Sequence, residues 1–252
     1  MAGDGPTLSV IMPVYNEEGT VEASVRQVRE CPFRLEVIAI DDGSTDDTST
    51  LLRRLEADGL IDRLIVQERN MGKGAAVRAG IRAATGDALV VQDADLEYDP
   101  VHLPELLEPI RLGLADAVFG SRFLGESRRV LYFWHRVGNG LLTLVSNVFT
   151  DLNLSDMETC YKMVRTDLAK RLPLQADRFG IEPELTAKLA QAGARIYEVP
   201  ISYHGRTYAE GKKITWKDGI AAFWHIVRFN LLTPRPDRLP PRSHGAGALP
   251  DR

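Results

Sequence analysis

The sequence is poor in cysteine: Cys31 and Cys160 are the only two in 252 residues, and their spacing is not CxxC. Two thiols cannot frame a disulfide scaffold, so a cytosolic protein with reduced thiols is expected. No apolar run reaches the ~18 residues of a membrane span. The two richest stretches, 141–149 and 219–232, are short or interrupted by His225, Arg228 and Asn230. The opening MAGDGPTLSV has neither a basic segment nor a long apolar one, so no signal peptide is expected. Basic charge is not in excess: 31 Lys and Arg stand against 35 Asp and Glu, a net charge of −4. Nucleic-acid binding draws on clustered Lys and Arg, which argues against nucleic acid as a partner. The P-loop pattern GxxxxGK[ST] is absent, as is GxGxxG after the first strand. That argues against an NTPase and a dinucleotide-dependent dehydrogenase.

What is present is an average globular composition, 44% apolar and 26% charged, on a chain long enough to bury a large core. In the first 120 residues short apolar runs alternate with helix-length segments. The runs are LSVIMPV (8–14), LEVIAID (35–41), RLIVQE (63–68), DALVVQD (87–93) and DAVFGS (116–121). Continuous Val- and Ile-rich runs predict strands buried on both faces of a parallel sheet. Asn16 with Glu17 and Glu18, a loose capping box of Ser44 and Asp47, and Gly86 after IRAAT read as helix boundaries. The alternation predicts a doubly wound, Rossmann-like α/β fold. Beyond residue 122 it fails. A basic loop is expected over 123–136, one-faced apolar helix over 141–149, helix over 183–193, strand over 194–204 and helix over 216–232. The last 20 residues hold five of the 14 prolines with Gly245 and Gly247, and predict a disordered tail over 233–252.

In open α/β sheets ligands bind beyond the carboxyl ends of the strands. Those ends here carry Tyr15-Asn16-Glu17-Glu18, Asp41-Asp42-Gly43-Ser44, Asn70-Met71-Gly72-Lys73-Gly74, Gln92-Asp93-Ala94-Asp95-Leu96-Glu97 and Gly120-Ser121-Arg122. Each alone is an ordinary turn. Together they crowd carboxylates on one rim, which repel one another unless a cation joins them. Asp93 and Asp95, at i and i+2, can offer oxygens to one Mg²⁺ or Mn²⁺. Lys73 and Arg122 then face the anion that such a metal bridges, and a diphosphate fits.

The ordered set PVYNEE, DDGSTDDT, NMGKGAA, QDADLEY, GSRF, DMETCYK (156–162) and VPISYHGRTYAEGKKI (199–214) resembles family 2 glycosyltransferases of the GT-A fold. Within that family it is most similar to dolichol-phosphate mannose synthases and related polyprenyl-phosphate glycosyltransferases. The resemblance covers about 7–232, as a nucleotide-sugar half (7–122) and an acceptor half (123–232) of one domain counted as 1–232. It implies that Pro13, Tyr15, Glu17 and Asp42 cradle the base and ribose of a GDP- or UDP-sugar, with Lys73 on the phosphates. It implies a metal on Asp93, Asp95 and Glu97 beside the Ala94 backbone; Glu97 stands where some relatives place Gln. The resemblance also implies that Arg122 contacts phosphate, of the donor or of the acceptor, and that Arg206 with Lys212 or Lys213 closes over the diphosphate from a mobile loop hinged at Gly205 and Gly211.

The expected reaction is an inverting, metal-dependent hexose transfer to a polyprenyl phosphate, whose anionic oxygen needs cations rather than a base. Arg122, Arg128, Arg129 and Arg136 supply them. A hydroxyl acceptor is the alternative, with Asp156 as base and Glu182 or Glu184 next. Two further rivals are a sugar-1-phosphate nucleotidyltransferase, disfavoured by PVYNEE in place of a Gly-rich loop, and a non-catalytic nucleotide-binding module. Core packing is the default for the aromatics at 132–134 and 223–229; with Arg128, Arg129, Arg136, Lys212, Lys213, Lys217 and Arg228 they form the rival, a peripheral dock on an anionic bilayer. Many relatives add C-terminal membrane spans; here a Pro-rich stretch stands instead, so the expectation is lipid attachment that is weaker or else supplied by a partner.

Overall fold

The computed structural model of the chain describes residues 5–125, 132–205 and 216–240. Seven strands form one sheet in the order β3-β2-β1-β4-β6-β5-β7. β1 (Leu8–Val14) and β2 (Leu35–Asp41) lie at its heart, in parallel register from Leu8 opposite Leu35 to Val14 opposite Asp41. On its other edge β1 pairs in parallel with β4 (Ala88–Val91), and β2 pairs with β3 (Arg63–Val66). Leu8, Val10, Ile11 and Met12 have no exposed surface, which explains why that run shows no polar alternation. β5 (Ala117–Ser121) pairs in parallel with β7 (Ile196–Pro200).

One strand escaped the sequence reading. β6 (Lys162–Arg165) runs antiparallel between β4 and β5, so the sheet is mixed. Its first residue, Lys162, is 1% exposed and donates to the carbonyls of Met157 (2.6 Å) and Glu182 (2.8 Å). A buried lysine satisfied by backbone leaves no apolar signature.

The helices are α1 (Val21–Arg29), α2 (Thr48–Ala57), α3 (Lys73–Ala83), α4 (Leu103–Arg111), α5 (Phe133–Thr150), the short α6 (Thr166–Ala169), α7 (Ile181–Gln191) and α8 (Trp216–Leu231). α4 fills the helix-length segment expected between β4 and β5, but its two prolines left its boundaries unmarked. Pro104 at its start needs no helical N–H partner, whereas Pro109 interrupts the ladder inside it. The basic loop ends earlier than expected, since 133–136 already belong to α5. No capping box forms at α2: Ser44 Oγ accepts instead from the Asn16 N–H, 3.1 Å away. Gly86 is not a helix cap; α3 ends at Ala83, and a Cβ on Gly86 would meet the Thr7 carbonyl oxygen at 2.6 Å.

The expected tail begins as an ordered strap. Lys188 of α7 donates to Thr233 Oγ1 (2.7 Å) and the Pro234 carbonyl (2.6 Å), and the Leu239 N–H donates to the Ala192 carbonyl (2.8 Å). A buried ammonium needs these acceptors, and that need draws 233–239 onto α7. Residues 241–252 of the expected tail lie outside the described residues.

Candidate active site

The strand order reverses between β1 and β4: the chain leaves β1 towards β2 and β3 on one side, then returns to β4 on the other. Such a switch point opens a crevice at the strand carboxyl ends. Pro13 and Val14 end β1 at that edge, and Tyr15 beyond them is exposed. Asn16, in the left-handed region at φ 52°, accepts from the Thr45 N–H at 2.8 Å, and the Glu17 N–H donates to Thr48 Oγ1 at 2.9 Å. These bonds stitch the loop after β1 to the loop after β2. Asp41 and Asp42 both turn inward. Asp41 accepts from the Ser44 N–H and the Ser49 hydroxyl. Asp42, 3% exposed, accepts from the N–H groups of Met71 (2.7 Å) and Gly72 (2.8 Å), so it ties β2 to the loop before α3.

That loop aims Lys73. Gly72 has φ 95°, a conformation glycine tolerates, and a Cβ there would strike the Asp177 carbonyl oxygen. Gly74 is needed for closeness: a Cβ would strike the Ala176 carbonyl. Lys73 then bridges two acids, Asp93 Oδ2 at 2.8 Å and Glu182 Oε1 at 2.9 Å. Burial alone favours the neutral amine, but the two acids more than offset it and hold the ammonium charged.

Asp93 and Asp95 flank Ala94 just past β4. The Asp95 Oδ1 accepts from the Glu97 N–H at 3.1 Å, with Leu96 between them at φ 62°. The expected third ligand is oriented otherwise: Glu97 Oε2 accepts from the Tyr203 hydroxyl at 2.5 Å. The loop after β7 fixes this, because the His204 N–H donates to the Glu97 carbonyl and Tyr203 bridges Tyr98. Among the described residues no three carboxylate, thiol or imidazole groups converge as a complete metal cage. Two adjacent aspartates still suit Mg²⁺ or Mn²⁺, which take one or two protein carboxylates and complete their shell with substrate phosphates and water.

Across the crevice stands Arg122, at the end of β5. Asp156 has no exposed surface and accepts four hydrogen bonds. They come from Arg122 Nε (2.7 Å), Arg122 Nη2 (2.7 Å), the Arg122 N–H (3.1 Å) and Asn139 Nδ2 (3.1 Å). Burial favours the neutral acid, but the guanidinium outweighs it and holds the Asp156 carboxyl below its ordinary range. Arg122 also lies over the Tyr203 ring, 5.1 Å from its centroid, and Arg136 over Phe123 at 4.7 Å. Tyr203 and Asn139 were missed by sequence reasoning; an Asn inside a helix and a Tyr in a loop carry no pattern of their own.

Glu182 and Glu184, the reserve base candidates, are occupied. Glu182 holds Lys73, and Glu184 accepts from the N–H groups of Gln175 and Ala176. Glu158 differs. Its Oε1 is buried without a hydrogen-bond partner, as is the Thr159 Oγ1 beside it. Burial and the Glu182 carboxylate raise the Glu158 acid to about 7, against the pull of Lys162 and Arg122. Arg206, Lys212, Lys213, Arg128 and Arg129 lie outside the described residues.

Beside Arg122 and Asn139 the surface turns apolar. α5 buries Thr143 and Ser146 and exposes Phe133, Trp134 (77% exposed), Val137, Leu141, Leu144 and Val148 (74%). Ile220, Phe223 and Trp224 of α8 are exposed as well, while Ala222, Ile226 and Phe229 pack inward. The one-faced apolar helix expected at 141–149 is therefore inside out. Among the described residues no helix is long and apolar enough to cross a membrane.

Comparison with known proteins places this geometry. The sequence model described as "Glycosyl transferase family 2" matches residues 9–172. The chain is 30% identical over 234 residues to the low-salt glycan biosynthesis hexosyltransferase Agl6 of Haloferax volcanii, covering 90% of this chain and 54% of that one. It is 29% identical to the dodecaprenyl-phosphate galacturonate synthase of Rhizobium johnstonii, covering 81% and 61%. It is 30% identical to the undecaprenyl-phosphate mannosyltransferase of Micrococcus luteus, covering 88% and 97%. The chain thus spans little more than half the length of the first two and nearly all of the third. Among solved structures, glucosyl-3-phosphoglycerate synthase from Mycobacterium tuberculosis, in complex with Mn²⁺, UDP and phosphoglyceric acid, superposes with a TM-score of 0.70. The identity is 22%, over 91% of this chain and 80% of that one, a likeness of fold.

Proposed function

The chain belongs to glycosyl transferase family 2, and from that premise we propose that it moves a hexose from a GDP- or UDP-sugar to a polyprenyl phosphate, with inversion. The observation that carries the choice of acceptor is the Arg122–Asp156–Asn139 group. A hydroxyl acceptor needs a base with a reachable lone pair and a pKa near the working pH. Asp156 is sealed, its carboxyl is held below the ordinary range, and it already accepts four hydrogen bonds. It is built to hold Arg122, and Arg122 is suited to an incoming anion. The printed names of the Rhizobium and Micrococcus relatives, each a polyprenyl-phosphate enzyme, support the same acceptor.

In this reading a phosphate oxygen of the lipid attacks the anomeric carbon, forming a C–O bond. The bond to the nucleoside diphosphate breaks, and its electron pair leaves with the diphosphate. No proton moves, which is why no base is required. Pro13, Tyr15, Glu17 and Asp42 frame the nucleoside, Asp42 by fixing the Met71–Gly72 turn. Lys73 faces the diphosphate, and Arg122 with Arg136 orients the lipid phosphate. Arg206, Lys212 and Lys213 are assigned to the diphosphate on resemblance alone. Asp93 and Asp95 would hold Mg²⁺ or Mn²⁺, with Glu97 joining only if it leaves Tyr203; the cation would neutralise charge on the leaving diphosphate. The relative's Mn²⁺ complex supports that cofactor.

The exposed apolar face of α5 and α8 supports docking of this half on a bilayer, which would present the lipid phosphate to Arg122. The deciding experiment is a donor panel of GDP-mannose, UDP-glucose and UDP-GlcNAc with Mn²⁺ and a short polyprenyl phosphate, read by mass spectrometry of the lipid. A glycosyl-phospholipid from at least one donor is expected. None from any donor overturns the reading.

A further inference from the structure

Glu158 is a carboxyl near the crevice that the reaction above leaves unused and that no hydrogen bond explains. Five residues of chain, Asp156 to Cys160, cross from one side of the site to the other. Asp156 holds Arg122, on the acceptor side. The Cys160 Sγ lies 3.6 Å from Lys73 Nζ, which is bound to Asp93 on the metal side. Glu158 is the midpoint of that segment, and its carboxyl feels both Glu182, which holds Lys73, and Arg122, which Asp156 holds, so it belongs to the ground between the leaving-group side and the acceptor side. In a single displacement the transferred sugar must occupy that interval.

The surroundings of Glu158 do not explain it as a structural group. Lys162, the cation that acts most strongly on its charge, donates instead to the carbonyls of Met157 and Glu182. Arg122 spends its Nε and Nη2 on Asp156 and Asn139 and makes no hydrogen bond to Glu158. Among the described residues Glu158 makes no ion pair, its Oε1 is buried without a hydrogen bond, and the residue as a whole is half-buried. A carboxyl left in this way costs stability, and a ligand hydroxyl bonded to its other oxygen, Oε2, which is not sealed in the same way, would offset that cost.

We propose that Glu158 is a sugar-contacting residue whose carboxyl hydrogen-bonds a hydroxyl of the hexose carried by the donor. This rests on the nucleotide-sugar reading of the site. It adds a residue that recognises the sugar, separate from those that recognise nucleotide, metal and acceptor. Sites built to bond a particular hydroxyl discriminate strongly, because a sugar lacking it leaves a buried polar group unpaired.

The test is calorimetric and needs no lipid. UDP, UDP-glucose, GDP and GDP-mannose are titrated with Mn²⁺ into the full chain and into Glu158→Gln and Glu158→Leu. The expected result is that the sugar nucleotide bound by the native chain binds about tenfold more weakly to Glu158→Leu. Glu158→Gln, which keeps an acceptor and a donor, should lose less. The bare nucleoside diphosphate should bind all three proteins alike. Equal affinity of the native chain and Glu158→Leu for the sugar nucleotide would overturn this inference alone. So would an equal loss for the bare diphosphate, which marks a merely structural residue. If the native chain binds none of the four nucleotides, the donor reading falls and takes this inference with it.

Discussion

Replacing Asp156 by asparagine separates the two accounts of the acceptor side. The substitution is nearly isosteric but removes the charge and turns one accepting oxygen into an NH₂. One of the two 2.7 Å contacts from the Arg122 guanidinium then becomes donor against donor. The guanidinium, 15% exposed, is left without its counter-charge. Breaking a buried ion pair from one side costs about 3–5 kcal/mol; asparagine keeps one acceptor, so the lower end applies. For a domain of this size that corresponds to roughly 6–12 °C in Tm. The pH dependence has a definite sign. The folded pKa of Asp156 is depressed, so its contribution is complete above the unfolded value near 3.9 and is lost as pH falls through the folded one. The gap between native and variant melting curves should therefore be full at pH 7 and narrow below about pH 4. Kinetically, the acceptor KM should rise while donor affinity stays unchanged. A double-mutant cycle with Arg122→Gln should fall short of additivity by more than about 1 kcal/mol. If D156N melts like the native protein, keeps its acceptor KM and loses more than about a hundredfold in kcat, Asp156 is a base. The anionic-acceptor argument would then be refuted.

Other consequences are as direct. Lys73→Met leaves Asp93 and Glu182 without their shared cation, so Tm should fall, and millimolar Mn²⁺ should restore part of the loss by binding the folded state; melts with and without the metal check this. Gly74→Ala should destabilise by about 2 kcal/mol or more in denaturant titration, although alanine is the better helix former by ~1 kcal/mol, because its Cβ meets the Ala176 carbonyl; a stabilised variant would refute the close-approach argument. Trp134→Ser with Trp224→Ser should cut flotation with anionic liposomes about tenfold or more, at ~1–2 kcal/mol per aromatic withdrawn from the lipid, and should leave the melting temperature nearly unchanged since both side chains are exposed.

The sheet was legible where strands are buried on both faces, because runs such as VIAI and LVV admit no other economical reading. β6 was not, since its buried end is a lysine whose partners are the carbonyls of Met157, just before the strand, and of Glu182 in α7. The strand-end motifs do gather at the carboxyl edge of the sheet, yet their internal wiring was hidden. Nothing in DDGS says that Asp42 would hold Met71 and Gly72, nor in QDADLEY that Glu97 would face Tyr203 rather than join Asp93 and Asp95. These outcomes depend on which loop arrives alongside, and 106 residues separate Glu97 from Tyr203. The same limit governs α5. Periodicity established a single apolar face but not its direction, and the packing of Thr143 and Ser146 inward decided it.

That direction bears on the acceptor. A helix that buries a threonine and a serine while exposing leucines and valines gives up transfer free energy, on the order of 1 kcal/mol or more per large side chain, relative to its inverted registry. Such a face is stable in water only as part of a larger packed domain, and it gains when an apolar medium covers it. Asn139, on the same helix as the exposed stripe, donates to Asp156, which fixes Arg122. One helix therefore couples an apolar surface to the arginine proposed to hold the acceptor's phosphate. A water-soluble hydroxyl acceptor has use for neither feature. A free phosphate compound would use the arginine but not the surface. An acceptor with a phosphate at one end and a long hydrocarbon at the other uses both, and needs no base because it arrives already charged. The sealed aspartate and the inverted helix are separate observations, and a polyprenyl phosphate accounts for the two together.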